Sequence, residues 1–199
     1  MKRVRIAIVV VGMCLAGVIG WQVVKPSEPE PVYEGKRLSK WLEEGLPRPG
    51  EPWQWAWETD QAVLHIGTNA IPTLLRLLRV KDSPFKARVL ALVGSQRIFK
   101  VMPAGDWNLA AAEGFNTLGA SAYGAVPALI GIVDENISSE SRMYAVTALG
   151  HVGPSRGQAV PHLLQWATNA DAALRARARD ALGRIDPESA AAAGLTNGP

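Results

Sequence analysis

Cysteine is almost absent from this chain. The single one, Cys14, lies in an apolar run near the N-terminus, which excludes a disulfide framework, a Cys-ligated metal staple and thiol chemistry from everything after it. Histidine is nearly as scarce. His65, His151 and His162 are scattered, and none has a second His or Cys at ligand spacing, so neither a metal nor a cofactor is expected. Strand signals are also nearly missing. What remains is 48% hydrophobic and 20% charged over 199 residues, the composition of a folded chain whose stability rests on an apolar core.

An excess of positive charge is lacking too, once its location is considered. The formal charge is +3, but Lys2, Arg3, Arg5 and Lys25 belong to the N-terminal segment; the other 17 Lys and Arg face all 18 Asp and Glu, so residues 26–199 carry −1. Nucleic acid is therefore not an expected partner.

Residues 6–24 are apolar except for Gln22, and three basic residues precede them. Nineteen helical residues span about 28 Å, close to the hydrocarbon core of a bilayer. Secretory signal regions are shorter and end at a small-x-small site, which is poor around Gly17 to Gly20; an uncleaved signal anchor over 1–25 is expected, with cleavage and secretion as the alternative. The basic residues stay on the cytoplasmic side and place the rest of the chain in the periplasm. Gly12, Ala16 and Gly20 form a small-residue stripe that would let two anchors pack, although such residues are common in any membrane helix. Residues 26–35, rich in Pro and Glu, read as an extended spacer.

Self-comparison then finds a repeat. Lys86-Ala-Arg-Val-Leu-Ala-Leu-Val-Gly94, Arg142-Met-Tyr-Ala-Val-Thr-Ala-Leu-Gly150 and Arg175-Ala-Arg-Ala-Arg-Asp-Ala-Leu-Gly183 align without gaps. So do Ala70-Ile-Pro-Thr-Leu-Leu75, Ala125-Val-Pro-Ala-Leu-Ile130 and Ala159-Val-Pro-His-Leu-Leu164. Pro72, Pro127 and Pro161 suit a first helical turn. Leu74-Leu75 with Leu78, Leu129-Ile130 with Val133, and Leu163-Leu164 with Ala167 predict one buried stripe per helix. Gly153-Pro154 and Gly119 to Gly124 punctuate the hairpins, while Ser83, Asp106, Ser139 and Asp171 suit N-caps. An irregular element around Ser95 to Asn108 separates the first two units.

These residues resemble the HEAT and phycobilisome-lyase-type HEAT-like repeat: Asp171 opens a helix, Arg175 follows four residues later, and Ala181-Leu-Gly-Arg-Ile185 closes it. The resemblance covers residues 58–188. Upstream, Tyr33-Glu-Gly-Lys-Arg-Leu-Ser-Lys-Trp-Leu42 resembles a short motif that precedes such repeats in anchored proteins of Verrucomicrobia-like bacteria. The resemblance implies an all-α fold, a right-handed α-solenoid of about three hairpins beyond the transmembrane helix, used mainly to bind proteins. It implies no shared chemistry. Residues 36–57 become an N-terminal cap segment and 189–199 a flexible tail.

Gly153-Pro-Ser-Arg-Gly157 spells the nucleophile elbow G-x-S-x-G, which requires a preceding strand. Here it joins two expected helices and reads as a hairpin turn. Glu43-Glu44 and Asp134-Glu135 read as solvated carboxylates, so no catalytic residue is expected. The inner helices of such hairpins line the concave groove, where Thr73, Ala128 and His162, then Arg76, Gly131 and Gln165, are expected at equivalent exposed positions. Partner binding is expected at Arg76, Arg79, His162 and Gln165, within a basic run from Arg76 to Lys100 that carries one acid, Asp82. Trp53, Trp55 and Trp57 form an aromatic patch suited to a sugar, a peptide or the membrane interface, or to capping the exposed end of the first repeat. Asn136-Ile-Ser138 matches a glycosylation sequon.

The expected function is a non-enzymatic scaffold or adaptor anchored through residues 6–24, with another protein as partner and self-association as a further possibility. The alternatives are an enzyme-associated role like that of phycobilisome lyases and a structural envelope protein contacting membrane or cell-wall polymer.

Overall fold

A computed structural model describes residues 29–47, 55–82, 102–153 and 156–195. The expected anchor, Trp53, the Lys86 to Gly94 repeat and Ser83 lie outside the described residues.

The described chain is mostly helical, in line with the all-α expectation. A two-stranded hairpin comes first: β1 (Val32–Tyr33) pairs antiparallel with β2 (Lys36–Arg37), Tyr33 opposite Lys36. Glu34 and Gly35 both have positive φ, 48° and 74°, the geometry of a type I′ turn. This corrects the spacer expectation, because residues 31–35 fold: the Leu38 amide donates to the Pro31 carbonyl at 3.0 Å.

The helices follow as α1 (Leu38–Gly45), α2 (Trp57–Ile66), α3 (Ile71–Leu78), α4 (Ala104–Leu118), α5 (Val126–Glu135), α6 (Ser139–His151), α7 (Arg156–Trp166), α8 (Ala172–Ile185) and α9 (Pro187–Ala192). Contacts sort most of them into two rows. In one, α2 meets α4, α4 meets α6, and α6 meets α8; in the other, α3 meets α5 and α5 meets α7. Across the rows α3 packs on α4, α5 on α6 and α7 on α8, while α1 covers α2 and α4.

The apolar stripes fall as expected. Leu74 and Leu78, Leu129 and Val133, and Leu163 and Ala167 are buried, with Leu75, Ile130 and Leu164 half-buried beside them. Each buried leucine contributes roughly 1.5–3 kcal/mol by leaving water. The opposite row achieves close approach through small residues. A Cβ on Gly114 would stand 2.7 Å from Leu74 Cδ2, and one on Gly150 would stand 3.1 Å from Ala181 Cβ.

Helix ends explain two departures from expectation. Gly67 and Gly119 end α2 and α4 with positive φ, and 3-10 turns (Gly67–Ala70 and Gly119–Ala125) lead into α3 and α5, so Pro72 and Pro127 sit in the first α-turn. Pro161 instead lies inside α7, which is already helical from Arg156. Ser138 rather than Ser139 caps α6, and Asp106 sits within the first turn of α4 rather than at its cap. The Ala104 amide at that end donates to the Asp82 carboxylate at 3.0 Å. Asp171 caps α8 as expected, accepting from the Ala173 and Leu174 amides.

The C-terminal boundary also moves. Residues 187–192 form α9, Asp186 caps it, Ala190 is buried and Leu195 packs on the core, so residues 189–195 of the expected flexible tail are folded. Among the described residues, the helical run 104–135 is long and apolar enough to cross a bilayer. Its 3-10 interruption and the burial of Phe115, Leu118, Val126, Leu129 and Ile132 account for that apolarity as core.

Candidate functional site

The α3, α5 and α7 row presents the expected groove positions unevenly. Thr73 is a correction: it is only 3% exposed, because it shares the turn of Leu74 and Leu77 that α3 turns into the core. Ala128 and His162 are half-buried, as are Arg76 and Gly131, while Gln165 is exposed. A Cβ on Gly131 would meet nothing within 4 Å, so the middle of the row is open. Its small residues, Ala128 and Gly131, stand between bulkier ones on α3 and α7.

His162 and Trp166 pack on each other along α7 with ring centroids 5.5 Å apart, and Trp166 is buried. This ties one edge of the imidazole to the core. Arg79 is occupied internally. Its Nε and a terminal nitrogen each lie 2.9 Å from an oxygen of Glu135, a bidentate pair joining the ends of α3 and α5. That fork holds the Glu135 carboxyl below its ordinary pKa and raises that of Arg79. Of the four expected partner-binding residues, Arg76, His162 and Gln165 lie on helices of one row, and Arg79 closes its rim.

The expected aromatic patch is divided. Trp57 is 65% exposed, whereas Trp55 is half-buried and donates its indole N–H to Asp60 at 2.9 Å; the Thr117 hydroxyl donates to the same carboxylate. Asp60 therefore ties α2 to α4 and holds Trp55 beside them. Tyr33 and Trp41, read in the sequence only as part of the motif preceding the repeats, join Trp57 instead. Tyr33 stands 6.0 Å from Trp41 and 4.5 Å from His65 between ring centroids, and the Trp41 indole donates to the Tyr33 carbonyl at 3.1 Å. With Glu34, Glu58 and Gln61 the three rings line a recess of about 290 Å³. The hairpin turn that carries Tyr33 was the available signal, since Glu34-Gly35 between short β-compatible residues is turn chemistry.

Gly153 follows helix α6 directly with φ of 93°, so the G-x-S-x-G stretch lacks the strand an elbow requires. His151 lies near Arg184, with Nδ1 3.4 Å from a guanidinium nitrogen. Burial first, then that positive charge, depresses its pKa. Among the described residues, no group of three His, Cys, Asp or Glu side chains is placed to hold a metal. No protein-family model matches this sequence, and no curated protein or solved structure does either.

Proposed function

We propose that this chain is a non-enzymatic scaffold, tethered to the membrane by residues 6–24, whose HEAT-type hairpins stack as a right-handed α-solenoid in the periplasm and hold another protein against the α3, α5 and α7 face. The observation that carries the reading is the row itself. Three helices carrying the same Ala-x-Pro-x-Leu pattern lie side by side, their leucines turned into one core. Their outward positions are free to differ: Arg76, Gly131 and Gln165 occupy the same place in the pattern. A repeat that constrains packing while releasing one face is suited to recognition. The space over Gly131 is open, so a partner can approach that position closely.

Site-specific photocrosslinking in the native host tests this. A photoreactive residue at Gly131 or at Gln165 is expected to trap the same protein, and one at the exposed Ala176 on α8 is not. Gly131→Arg puts a long charged side chain on that face from a Cβ that meets no neighbour, so it is expected to abolish capture at Gln165 while leaving the helical circular dichroism unchanged. Equal capture from all three positions, or capture that survives Gly131→Arg, rejects the groove. Topology is checked separately by a C-terminal alkaline phosphatase fusion, which is active only outside the cytoplasm; an inactive, stably expressed fusion rejects the anchor reading.

A further inference from the structure

The recess at the start of the fold has a chemistry distinct from the α3, α5 and α7 face. We propose that it is a binding site for a small organic ammonium group. Tyr33, Trp41 and Trp57 supply three aromatic rings, and Glu34 and Glu58 place two carboxylates on the same lining. A ring face carries negative quadrupole density, and an ammonium is attracted to it most strongly where a fixed negative charge stands close by.

The cluster already binds one ammonium. Lys36 Nζ sits 3.6 Å from the centre of the Trp41 ring, and its charge is balanced outside the recess by Glu44 at 2.6 Å. The two lining carboxylates have no such balance, since neither Glu34 nor Glu58 forms an ion pair among the described residues. Their field is felt nearby: Glu34 raises the pKa of the Tyr33 phenol, chiefly through its charge. The positive end of the α2 dipole, which opposes a cation, is offset by Glu58 and Asp60 in the first turn. His65 packs against the Tyr33 ring and does not line the recess.

A sugar is the competing ligand for exposed tryptophan, but it needs donors as well as acceptors around its hydroxyls. Here two carboxylates stand beside the Tyr33 phenol, the Trp57 indole N–H and the Gln61 amide, so what separates this lining from a neutral sugar subsite is its net negative charge. A volume of about 290 Å³ admits a trimethylammonium head with part of its chain. Trp57 at 65% exposure leaves the recess open on one side, so binding at millimolar concentration is expected.

The test follows indole N–H resonances of the full-length chain, held in an uncharged polyoxyethylene detergent, during titration with choline chloride against sodium chloride of equal ionic strength. Trp41 and Trp57 are expected to shift saturably while buried Trp166 stays still. The uncharged isostere 3,3-dimethylbutan-1-ol is expected to bind roughly tenfold more weakly, and Trp57→Ala and Glu58→Gln each to weaken choline about fivefold or more. Both substituted residues are exposed, and the Trp166 resonance reports that the fold survives. Equal affinity for the alcohol, no saturable shift with choline, or saturation by cellotetraose in its place would each overturn the ammonium assignment. None of these outcomes bears on crosslinking at Gly131.

Discussion

The hydroxyl of Ser141 donates to the carbonyl oxygen of Leu78 at 2.6 Å, joining α6 to the end of α3 across 63 positions. The same helix end receives Asn108 from α4, whose amide nitrogen lies 2.9, 3.1 and 3.2 Å from the carbonyls of Leu77, Leu78 and Val80. A helix C-terminus leaves four carbonyls without internal partners. In α3 those of Leu77 and Leu78 are met by two side chains from neighbouring helices, both of them buried, while Arg79 donates to those of Leu75 and Arg76.

These two residues should differ in cost. Ser141→Ala removes one donor from a carbonyl that keeps Asn108, so about 0.5–1.5 kcal/mol is expected. Asn108→Asp removes donors to three carbonyls and buries a negative charge facing them, so more than about 3 kcal/mol is expected. Urea denaturation of both variants measures the difference. Equal losses would mean that the α3 end is hydrated and the polar cap is incidental.

Gly150 and Gly183 occupy the same position in the repeat, yet opposite effects are expected on replacing them. A Cβ at Gly150 would meet Ala181 Cα at 3.2 Å, whereas one at Gly183 meets nothing within 4 Å. Gly150→Ala must push α6 from α8 and should destabilise by roughly 1–3 kcal/mol. Gly183→Ala removes only the glycine penalty inside a helix and should stabilise by roughly 0.5–1 kcal/mol. Melting temperatures moving in the same direction would show that α6 and α8 do not approach as described.

Those two glycines also show how far the sequence carries. The repeat motif was legible because packing demands the same small and apolar residues in each unit, and the Leu74, Leu129 and Leu163 stripes followed from period alone. Helix α4 was not legible as a repeat helix. It has Phe115 where α6 has Leu149 and Asn108 where α6 has Arg142, yet Gly119 to Gly153 and Pro127 to Pro161 are both spaced by 34. Long-range polar contacts such as Asn108 to Leu77 have no local pattern, and the burial of Thr73 depends on the rotation of α3. The recess was half legible: Trp57 was visible in a tryptophan run, but its partners Tyr33 and Trp41 arrive through a hairpin turn.

Acid stability should carry the mark of Asp171. Its pKa is lowered, first by the Leu174 amide, with further contributions from Ala173, Ser139 and Arg142. A carboxyl with a depressed folded pKa stabilises fully above its unfolded pKa of about 4, and this contribution is lost as pH falls through the folded value. Asp171→Asn keeps an N-cap acceptor, so stability near pH 7 should change little while the acid limb becomes shallower. An unchanged slope of stability against pH between about 4 and 2 would show that the α8 cap does not depend on ionisation.

His151 gives the complementary window. Its pKa is depressed by burial first and then by Arg184, so the unfolded chain takes up a proton before the folded one does. Stability attributable to this group is complete above the unfolded pKa of about 6.5 and is lost as pH falls from there toward the folded value. Arg184→Gln should raise the His151 pKa, read from its ring proton shifts, and move the loss closer to 6.5. A rise toward the ordinary value separates the charge of Arg184 from burial, because the substitution leaves the surrounding core in place; an unmoved pKa would assign the whole depression to burial.

The pair between Arg79 and Glu135 bears on where a partner can engage. Its geometry is bidentate, but the side chains are 37% and 42% exposed, so solvent screens it and a coupling of about 0.2–1 kcal/mol is expected from a double-mutant cycle with Arg79→Gln and Glu135→Gln. High salt should shrink that coupling. The fork of Arg79 is already filled, so a partner at the proposed face would compete with Glu135 for it, whereas the space over Gly131 is open. Glu135→Gln should therefore release Arg79 and alter partner capture at Gln165 more than it alters stability. If capture is untouched while the coupling is measurable, Arg79 serves only to join α3 to α5, and the docking surface lies between Arg76 and Gln165.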